Sequence, residues 1–347
     1  MNWESLDWEV LDRLRGDFLS GAAAAGPYWH TITDLECYDF TYGERIGWKW
    51  DAVLAELKLR GWSPPAGGIL LDWGCGSGIA GRRVADHFGP AHFSRLLLHD
   101  HSALALDYAE HRGRRAFPAL AVDRADRRFL ETGGVIGVLV VSHVLNELNE
   151  IARAELAALA GRAEVVLWVE PGTHEISRAL GGWREMLRAE MQVVAPCTHS
   201  AACGVLAAGN ERHWCHFFAS PPAGVHADSG WVKFGQRAGI DLRSLPYSFL
   251  ALARRKNAPD TAGVQGPPLA GFSRIIGEPR LYKGFAKIFN CDAAGVSELT
   301  LQKRSDPALF KEFKRAEGPL LYRWTRTGAQ ITAVEKPPAA GPGFGTK

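Results

Sequence analysis

Short apolar runs alternate with longer amphipathic segments between residues 67 and 172. Each run has the length and the aliphatic, β-branched composition of a buried strand, whereas the segments between the runs have helical spacing. The runs are residues 69–71, 95–98, 119–123, 135–145 and 164–172. Because parallel strands need crossover helices to connect them, this alternation predicts an α/β fold with a parallel, Rossmann-like sheet that carries helices on both faces.

The segments on either side of this core have other patterns. The N-terminal region has helical spacing, most clearly at residues 48–60, and the C-terminal part shows strand-like runs with one helix at 307–315. The predicted organisation is a helical region (1–66), a core domain (67–256) with a cysteine-rich metal insertion (193–220), a Pro- and Gly-rich linker (257–271), a basic β-rich module (272–334) and a disordered tail (335–347).

Composition limits the classes of function. The chain has 347 residues, of which 46% are hydrophobic, which suits one large domain with additions or two domains. The formal net charge is only +2, so any affinity for nucleic acid must come from a local patch. No apolar run approaches the length of a membrane span, and the acidic, aromatic N-terminus is unlike a signal or transit peptide. We therefore expect a monomeric, cytoplasmic protein with no membrane partner.

A glycine-rich loop follows the first strand of the core. Asp72 closes the strand, Gly74, Gly76 and Gly78 follow at alternate positions, and a helix is predicted over residues 79–88. A dinucleotide site has the different spacing Gly-x-Gly-x-x-Gly, and a carboxylate directly before the glycines would repel a pyrophosphate. The same carboxylate suits S-adenosylmethionine (SAM), which is cationic and has no phosphate. The loop resembles motif I of the class I SAM-dependent methyltransferases.

Two further carboxylates follow later strands of the core. Asp100 ends the second strand, where an acid can accept hydrogen bonds from both ribose hydroxyls, although capping of the next helix is an alternative. Asp123 ends the third run and is a candidate for binding the adenine amine, or else an ordinary surface turn residue. Because the carboxyl ends of parallel strands share one edge of the sheet, we expect both residues near the glycine loop.

The fourth run ends in a polar segment that contains His143, Asn146 and Glu147. Amino methyltransferases commonly carry an Asn/Asp-Pro-Pro-aromatic run here, which this chain lacks. The three residues are candidates for a general base or a hydrogen-bond partner of the methyl acceptor. Capping of the following helix is at least as good an interpretation. Cys75, inside the glycine loop, is interpreted as a small buried residue.

Cys197, Cys203 and Cys215 lie close together in a segment rich in His, Pro and Gly. Cys291 is the natural fourth ligand, because the other two cysteines belong to other parts of the fold. Four thiolates suit tetrahedral zinc or an iron–sulfur cluster. The spacing lacks the Cys-x-x-Cys pairs of most structural zinc sites, which favours iron–sulfur. Zinc with one histidine ligand remains the alternative, and the candidates are His199, His213 and His216.

The β-rich module has a local excess of positive charge. From Arg274 to Arg315 there are nine Lys or Arg residues against five Asp or Glu, with Tyr282, Phe285 and Phe289 among them. Such a module can hold RNA through phosphate contacts and base stacking, and a solvated charged surface is the alternative. The predicted RNA-binding residues are Arg274, Arg280, Lys283, Lys287, Lys303 and Arg304.

Five segments together resemble one protein family. They are Leu-Asp-Trp-Gly-Cys-Gly-Ser-Gly (71–78), Ser-His-Val-Leu-Asn-Glu-Leu (142–148), Glu-Pro-Gly-Thr (170–173), Pro-Cys-Thr-His-Ser-Ala-Ala-Cys (196–203) and Trp-Cys-His-Phe (214–217). From residue 40 to residue 325 the chain is similar to methyltransferase-like proteins associated with the mitochondrial ribosomal small subunit, and to their bacterial relatives. The resemblance implies a class I SAM-methyltransferase fold with SAM at the glycine loop and action on the assembling small subunit and its 16S-type rRNA. It also implies a 4Fe–4S cluster on Cys197, Cys203, Cys215 and Cys291.

Two classes of function follow from the sequence. The first is SAM-dependent methyl transfer to small-subunit rRNA, of which a zinc-containing RNA methyltransferase is a variant. The second is a non-catalytic, cluster-dependent assembly factor that binds rRNA and keeps SAM as a structural ligand or not at all.

Overall fold

The computed structural model describes residues 1–20, 29–255, 269–315 and 318–337. Most of the predicted linker and the end of the predicted tail therefore lie outside the described residues. The chain divides into two compact units. The first unit comprises Met1–Leu54, Pro64–Glu170 and Ala219–Leu245, and the second comprises Ala55–Ser63, Pro171–Phe218 and Pro246–Lys347.

The described residues contain ten α-helices, which are distributed along the chain. They are α1 (Trp8–Ser20), α2 (Ile32–Tyr38), α3 (Glu44–Leu59), α4 (Ile79–Phe88), α5 (Ala103–Ala116), α6 (Arg127–Thr132), α7 (Glu150–Arg162), α8 (His174–Leu187), α9 (Ser229–Ala238) and α10 (Pro307–Arg315). Side-chain caps fix where several of them begin. Ser102 accepts a hydrogen bond from the Ala105 amide at the start of α5, and Asn149 accepts one from the Ala152 amide at the start of α7.

Five parallel strands form the centre of the first unit. They are β1 (Ile69–Trp73), β2 (Arg95–His99), β3 (Val122–Arg124), β4 (Ile136–Ser142) and β5 (Ala163–Pro171). Their order in the sheet is β3-β2-β1-β4-β5, and each neighbouring pair is parallel. The α/β fold with a Rossmann-like sheet, predicted from the alternating pattern, is confirmed. The order of the strands reverses beside β1, and sheets of this kind bind ligands at the carboxyl ends of the strands at that point.

The uninterrupted apolar run of β4 has a direct structural reason. All residues from Ile136 to Val141 are buried, since α4 and α7 both contact this strand. A strand that is covered on both faces has no solvent-facing position, so it shows no alternation of polar and apolar residues.

The second unit contains a small antiparallel group of strands. β6 (Met191–Ala195) pairs antiparallel with β8 (Leu245–Arg254), and β7 (Phe217–Ala219) also pairs with β8. The loop that follows β6 carries Cys197 and Cys203, and the segment that leads into β7 carries Cys215.

A closed five-stranded barrel completes the second unit. Its strands are β9 (Ser273–Leu281), β10 (Phe285–Asp292), β11 (Gly295–Gln302), β12 (Leu321–Thr327) and β13 (Gln330–Glu335). They close in the order β10-β11-β13-β12-β9, and α10 lies between β11 and β12 along the chain. This is the arrangement of the OB-fold, and it confirms the predicted small C-terminal β module.

Buried and partly exposed residues alternate along a strand of the barrel, so that every second side chain faces the interior. On β10, Ala286, Ile288 and Asn290 are buried, while Phe285, Lys287 and the other alternate residues are partly exposed. α10 adds Phe310 and Phe313 to the buried cluster. No helix in the described part of the chain is long and apolar enough to span a membrane.

Candidate cofactor crevice and thiol cluster

The glycine loop between β1 and α4 has a left-handed backbone at each alternate glycine. The φ angle is +68° at Gly74, +50° at Gly76 and +75° at Gly78, a region that side-chain-bearing residues rarely adopt. A Cβ atom at Gly74 would come within 2.7 Å of Val144 Cγ1, whereas one at Gly76 would meet open space. Packing therefore requires glycine at position 74, while the space beside Gly76 leaves the backbone open to a ligand.

Asp72 supports this loop from inside the first unit. Its side chain is fully buried, and Oδ2 accepts a hydrogen bond of 2.9 Å from the Gly81 amide in the first turn of α4. Oδ1 has no hydrogen-bond partner among the described residues. Burial raises the pKa of Asp72 to about 7. The structure therefore assigns Asp72 to joining β1 to α4, with one oxygen left unsatisfied.

Asp100 connects the end of β2 to the glycine loop. Its Oδ2 accepts a hydrogen bond from the Gly76 amide (2.8 Å), and its Oδ1 accepts one from the Ser102 amide (2.9 Å). The cap of α5 is Ser102, so Asp100 is not the helix cap that was one alternative. Each carboxylate oxygen has a second lone pair. Asp100 can therefore accept further hydrogen bonds beside the open position at Gly76.

An ion-pair network holds the loop from the N-terminal side of the first unit. Asp39 begins a π-helical turn and accepts a hydrogen bond of 2.7 Å from the Ser77 hydroxyl. Both Asp39 oxygens also accept hydrogen bonds from Arg82 Nη2, at 2.6 and 2.9 Å, and the Tyr108 hydroxyl donates at 3.2 Å. Sequence patterns did not indicate this role for Asp39, because Ser77 and Arg82 lie 38 and 43 positions away along the chain.

Glu170 fixes the turn that follows β4. Its Oε1 accepts hydrogen bonds from the amides of Val144 (3.1 Å) and Leu145 (3.3 Å) and from Trp168 Nε1 (2.7 Å). Its Oε2 has no hydrogen-bond partner among the described residues, and burial raises the pKa of Glu170 to about 7. The fifth apolar run, residues 164–172, contains Glu170, but its pattern does not indicate this contact with the turn after β4.

His143 and Lys49 form a polar pair at the same turn. His143 has a positive φ of 57°, which is uncommon for a residue with a side chain. Its Nε2 lies 3.2 Å from Lys49 Nζ, and its Nδ1 lies 3.2 Å from the Ser142 hydroxyl, which in turn accepts a hydrogen bond from Trp50 Nε1. Lys49 lies on α3, so sequence patterns gave no reason to place it beside β4.

Burial shifts the protonation of this pair towards neutral forms. It lowers the pKa of Lys49 to about 7, with the Arg45 charge acting in the same direction. Burial and the charge of Lys49 lower the pKa of His143 well below its usual range. Both nitrogens can therefore be unprotonated near neutral pH, which is what a proton acceptor requires.

Carboxylates give the crevice its electrostatic character. Burial and the charges of Asp100 and Glu170 raise the pKa of Glu147 to about 7. A bound cation would offset the repulsion among these three groups and favour their ionised forms. The other predicted residues lie at more exposed positions: Asn146 is exposed, and Asp123 is in an ion pair of 3.7 Å with Arg114.

Lys49 is expected to titrate near neutral pH, because its buried ammonium loses its proton as the pH rises through about 7. An ordinary lysine titrates at about 10.4. NMR titration of protein with 13C-labelled lysine should show one resonance with a midpoint near pH 7 that is missing in Lys49→Met. The same resonance should persist in Lys58→Met, which removes an exposed lysine of α3. A Lys49 midpoint above about 10 would contradict the expectation.

Four thiols converge in the second unit. Cys197 and Cys203 come from the loop after β6, Cys215 from the segment before β7, and Cys291 from β10 of the barrel. None of them is in a disulfide, and burial together with the charges of its cysteine neighbours raises the pKa of Cys215 above its usual range. Among the described residues, no group of three or more Cys, His, Asp or Glu side chains is placed so that it could hold a metal ion.

The candidate histidine ligands lie in different settings. His199 Nε2 lies 3.9 Å from the Cys291 sulfur. The His213 ring stacks on Phe289, with centroids 4.1 Å apart, and the His216 ring stacks on Trp214, with centroids 4.6 Å apart. His213 and His216 therefore have packing roles, whereas His199 contacts a thiol, the only one of the three to do so among the contacts of the described residues.

Three buried arginines surround the thiols. Arg60, Arg184 and Arg274 are only 7%, 3% and 3% exposed. Arg60 and Arg274 share one buried carboxylate, that of Glu56. Arg60 donates hydrogen bonds to the carbonyls of Val194 (2.9 Å), Pro196 (2.7 Å) and Cys197 (3.0 Å), and Arg184 donates to those of His199 (3.2 Å) and Ala201 (2.9 Å). The guanidinium groups of Arg60 and Arg274 therefore meet at one buried carboxylate, and Arg60 also contacts the backbone of Cys197.

The structure separates the six predicted RNA-binding residues into three groups. Arg274 is buried over the Phe217 ring, with the guanidinium carbon 3.9 Å from the ring centroid, and this burial excludes it from an RNA-binding surface. Arg280 and Lys287 both pair with Glu298. Lys283, Lys303 and Arg304 are exposed, and within the described part of the chain none of them is in an ion pair.

The described elements define a Rossmann-like α/β protein that has a candidate ligand site at the strand ends and contains an OB-type barrel in its second unit. Residues 57–321, well over half of the chain, match the family described as mitochondrial small ribosomal subunit Rsm22, and the protein belongs to this family. This confirms the resemblance seen in the sequence segments. Comparison with curated proteins found no significant match.

Solved structures show distant likenesses. Magnesium protoporphyrin IX methyltransferase from Synechocystis, with bound SAM, is 12% identical, with a TM-score of 0.37 and coverage of 72% of this chain and 99% of that one. An rRNA methylase from Streptococcus thermophilus is 10% identical, with a TM-score of 0.34 and coverage of 58% and 95%. A precorrin-6y C5,15-methyltransferase from Geobacter metallireducens is 10% identical, with a TM-score of 0.35 and coverage of 59% and 88%.

Proposed function

We propose that this protein binds SAM in the glycine-loop crevice and methylates small-subunit rRNA during ribosome assembly. The observation that carries the proposal is the Asp100 carboxylate, which holds the Gly76 amide at the one loop position that opens into free space. An acid at the end of the second strand, directly beside a glycine turn, suits a ribose rather than a pyrophosphate. The family description supports the small ribosomal subunit as the site of action.

The charges of the residues at the strand ends also suit SAM. Asp100, Glu147 and Glu170 interact electrostatically, so a sulfonium or ammonium cation would relieve their mutual repulsion. When bound, SAM supplies an electrophilic methyl group. Asp100 would accept hydrogen bonds from the ribose hydroxyls, Glu147 would stabilise the positive charge, and His143 Nε2 or Lys49 Nζ would accept the proton that the methyl acceptor loses. Most of the rate gain would come from alignment of donor and acceptor.

We further propose that Cys197, Cys203, Cys215 and Cys291 hold a 4Fe–4S cluster. Four free cysteines that interact electrostatically with one another, with buried arginines beside them, suit a cluster whose four thiolates carry net negative charge. Such a cluster would connect the loop after β6 and the segment before β7 to strand β10 of the barrel.

A non-catalytic assembly factor is the second candidate. It is favoured by the turn after β4, whose amides are held by Glu170 and whose His143 is occupied by Lys49 and Ser142. The sequence there also lacks the Asn/Asp-Pro-Pro-aromatic run of amino methyltransferases. In this role the crevice would hold SAM as a structural ligand.

The two functions differ in whether a methyl group is transferred. Anaerobically purified holoprotein should be incubated with immature small subunits and SAM that carries a labelled methyl group, with a known rRNA methylase as positive control. Label in rRNA from the wild type, and none from Lys49→Met or His143→Ala, would support the enzyme. No label from protein that binds both SAM and the subunits would leave the assembly factor as the function.

A further inference from the structure

An exposed aromatic stack lies at one end of the barrel. Tyr282 in the turn between β9 and β10 is 45% exposed, and its ring is stacked on Phe285 with centroids 4.6 Å apart and planes at 12°. The Tyr282 amide donates a hydrogen bond of 2.8 Å to the Phe285 carbonyl, which fixes the turn. The hydrogen bond and the stacking therefore hold a large aromatic ring at the surface. Phe285 covers one face of this ring, and the other face is open to solvent.

Unpaired cations flank this stack. Lys283 follows Tyr282 in the turn, and the Lys303 amide donates a hydrogen bond of 2.9 Å to the Gly284 carbonyl, which brings Lys303 and Arg304 to the same end of the barrel. Among the described residues these three side chains are in no ion pair, while Arg280 and Lys287, farther along the strands, both pair with Glu298. Lys283, Lys303 and Arg304 therefore add positive charge at the end of the barrel that holds Tyr282, and α10 carries a second exposed basic group of Lys311, Lys314 and Arg315.

The aromatic stack and the three cations lie on the elements with which OB-folds bind nucleic acid. In OB-folds, the face of the second and third strands and the loop between the first two strands bind oligonucleotides. Here those elements are β10, β11 and the turn at Tyr282–Gly284. A base can stack on an exposed aromatic ring only when it is free of its own helix, so this arrangement selects unpaired nucleotides.

We propose that this end of the barrel binds a single-stranded segment of RNA. One base stacks on the open face of Tyr282, backed by Phe285, and the adjoining phosphates contact Lys283, Lys303 and Arg304. The inference rests on the proposed action on small-subunit rRNA and adds to it the structural class of the RNA and the residues that recognise it. Arg274, Arg280 and Lys287, which the sequence also suggested, have no direct part in this contact.

The test is binding of the full-length holoprotein to labelled RNA, followed by fluorescence anisotropy. The probes are an unstructured oligoribonucleotide of about ten nucleotides, within the site size of one OB-fold, and a fully paired hairpin of the same composition. Wild-type protein should prefer the single strand. Tyr282→Ala should weaken single-strand binding by about 5- to 150-fold, the range that corresponds to loss of one stacked base, and Tyr282→Phe should retain it.

Charge variants separate the local site from general electrostatics. Lys303→Ala should weaken binding and lower the slope of log K against log salt by about 0.7, as expected for one lost phosphate contact on a single strand. Lys314→Ala is a matched control, because Lys303 and Lys314 lie at similar distances, 5.8 and 6.0 Å, from the same Phe310 ring. The control should bind the oligonucleotide as the wild type does.

The possible outcomes distinguish failure of this inference from failure of the proposed function on which it rests. If Tyr282→Ala binds the oligonucleotide as tightly as wild type, or if the hairpin is preferred, the inference is overturned, while binding of wild type to immature small subunits would still uphold the proposed function. If wild type binds neither the oligonucleotide nor the small subunits, both are overturned. Loss of single-strand binding in Tyr282→Ala alone, with intact Tyr282→Phe and Lys314→Ala, supports the inference.

Discussion

Replacement of Cys215 by serine is expected to release the proposed cluster and to lower the melting temperature by on the order of 10 °C or more. The reason is that a structural metal site contributes about 10 kcal/mol or more of binding free energy to the folded state, and each kcal/mol corresponds to about 2–4 °C for a chain of this size. Cys215 lies between β6 and β10, where the thiols from three separate segments converge. A serine oxygen is a poor replacement for a soft thiolate.

The measurements are iron and sulfide content, the visible spectrum and thermal unfolding of anaerobically purified protein. Wild type should contain about four iron and four sulfide per chain. Cys37→Ser is the control, since Cys37 is also a free cysteine but belongs to the first unit. Its iron content should match that of wild type. Colourless wild-type protein with one zinc, or full iron content in Cys215→Ser, would contradict the cluster on these four cysteines.

Replacement of Asp100 by asparagine is expected to weaken SAM binding by about 10- to 100-fold, because a hydrogen bond to a charged group contributes about 1.5–3 kcal/mol. Asparagine has nearly the same volume, but its amide nitrogen cannot accept a hydrogen bond. Asp100 uses both oxygens for the amides of Gly76 and Ser102. The substitution therefore removes the negative charge and one of the two acceptors that position the loop and the ribose.

Isothermal titration with SAM and with S-adenosylhomocysteine measures this effect directly. Both ligands have the same ribose, so both should lose affinity in Asp100→Asn. Asp107→Asn is the matched control, because Asp107 lies on α5 in an exposed ion pair with Arg124 at 2.6 Å. Unchanged affinity in folded Asp100→Asn would mean that the crevice holds the ribose by other residues or binds a different ligand.

Local patterns predicted much of the fold because strands and helices bury regular faces. The helices at residues 79–88 and 307–315 have the predicted bounds, and the glycines at alternate positions have the left-handed backbone that glycine makes favourable. The third strand is shorter than its apolar run: Leu120 closes a turn by donating to the Phe117 carbonyl, so β3 begins only at Val122. Apolar residues buried in a turn are indistinguishable by pattern from those in a short strand.

The candidate site was predictable only where its residues share one short segment. Asp72, Gly76 and Asp100 follow strands at a recognisable spacing, so the sequence indicated their position at the strand ends. Lys49 could not be found in this way, because its role depends on α3 packing beside the turn after β4, 94 residues away. The same holds for Arg274: its basic character suggested a surface contact, and only the fold shows that Glu56 and Phe217 enclose it.

The sequence by itself determined the α/β class, the glycine loop with its acidic partners, the small C-terminal β module and the family. Each of these follows from local periodicity or from a short motif. Only the tertiary structure decided that the C-terminal strands close as an OB-type barrel, that four distant cysteines converge among buried arginines, and which of the basic residues remain unpaired. The physical reason is that strand pairing, side-chain burial and ion pairing depend on which distant segments come into contact. These contacts result from packing of the whole chain and not from the pattern of any one segment.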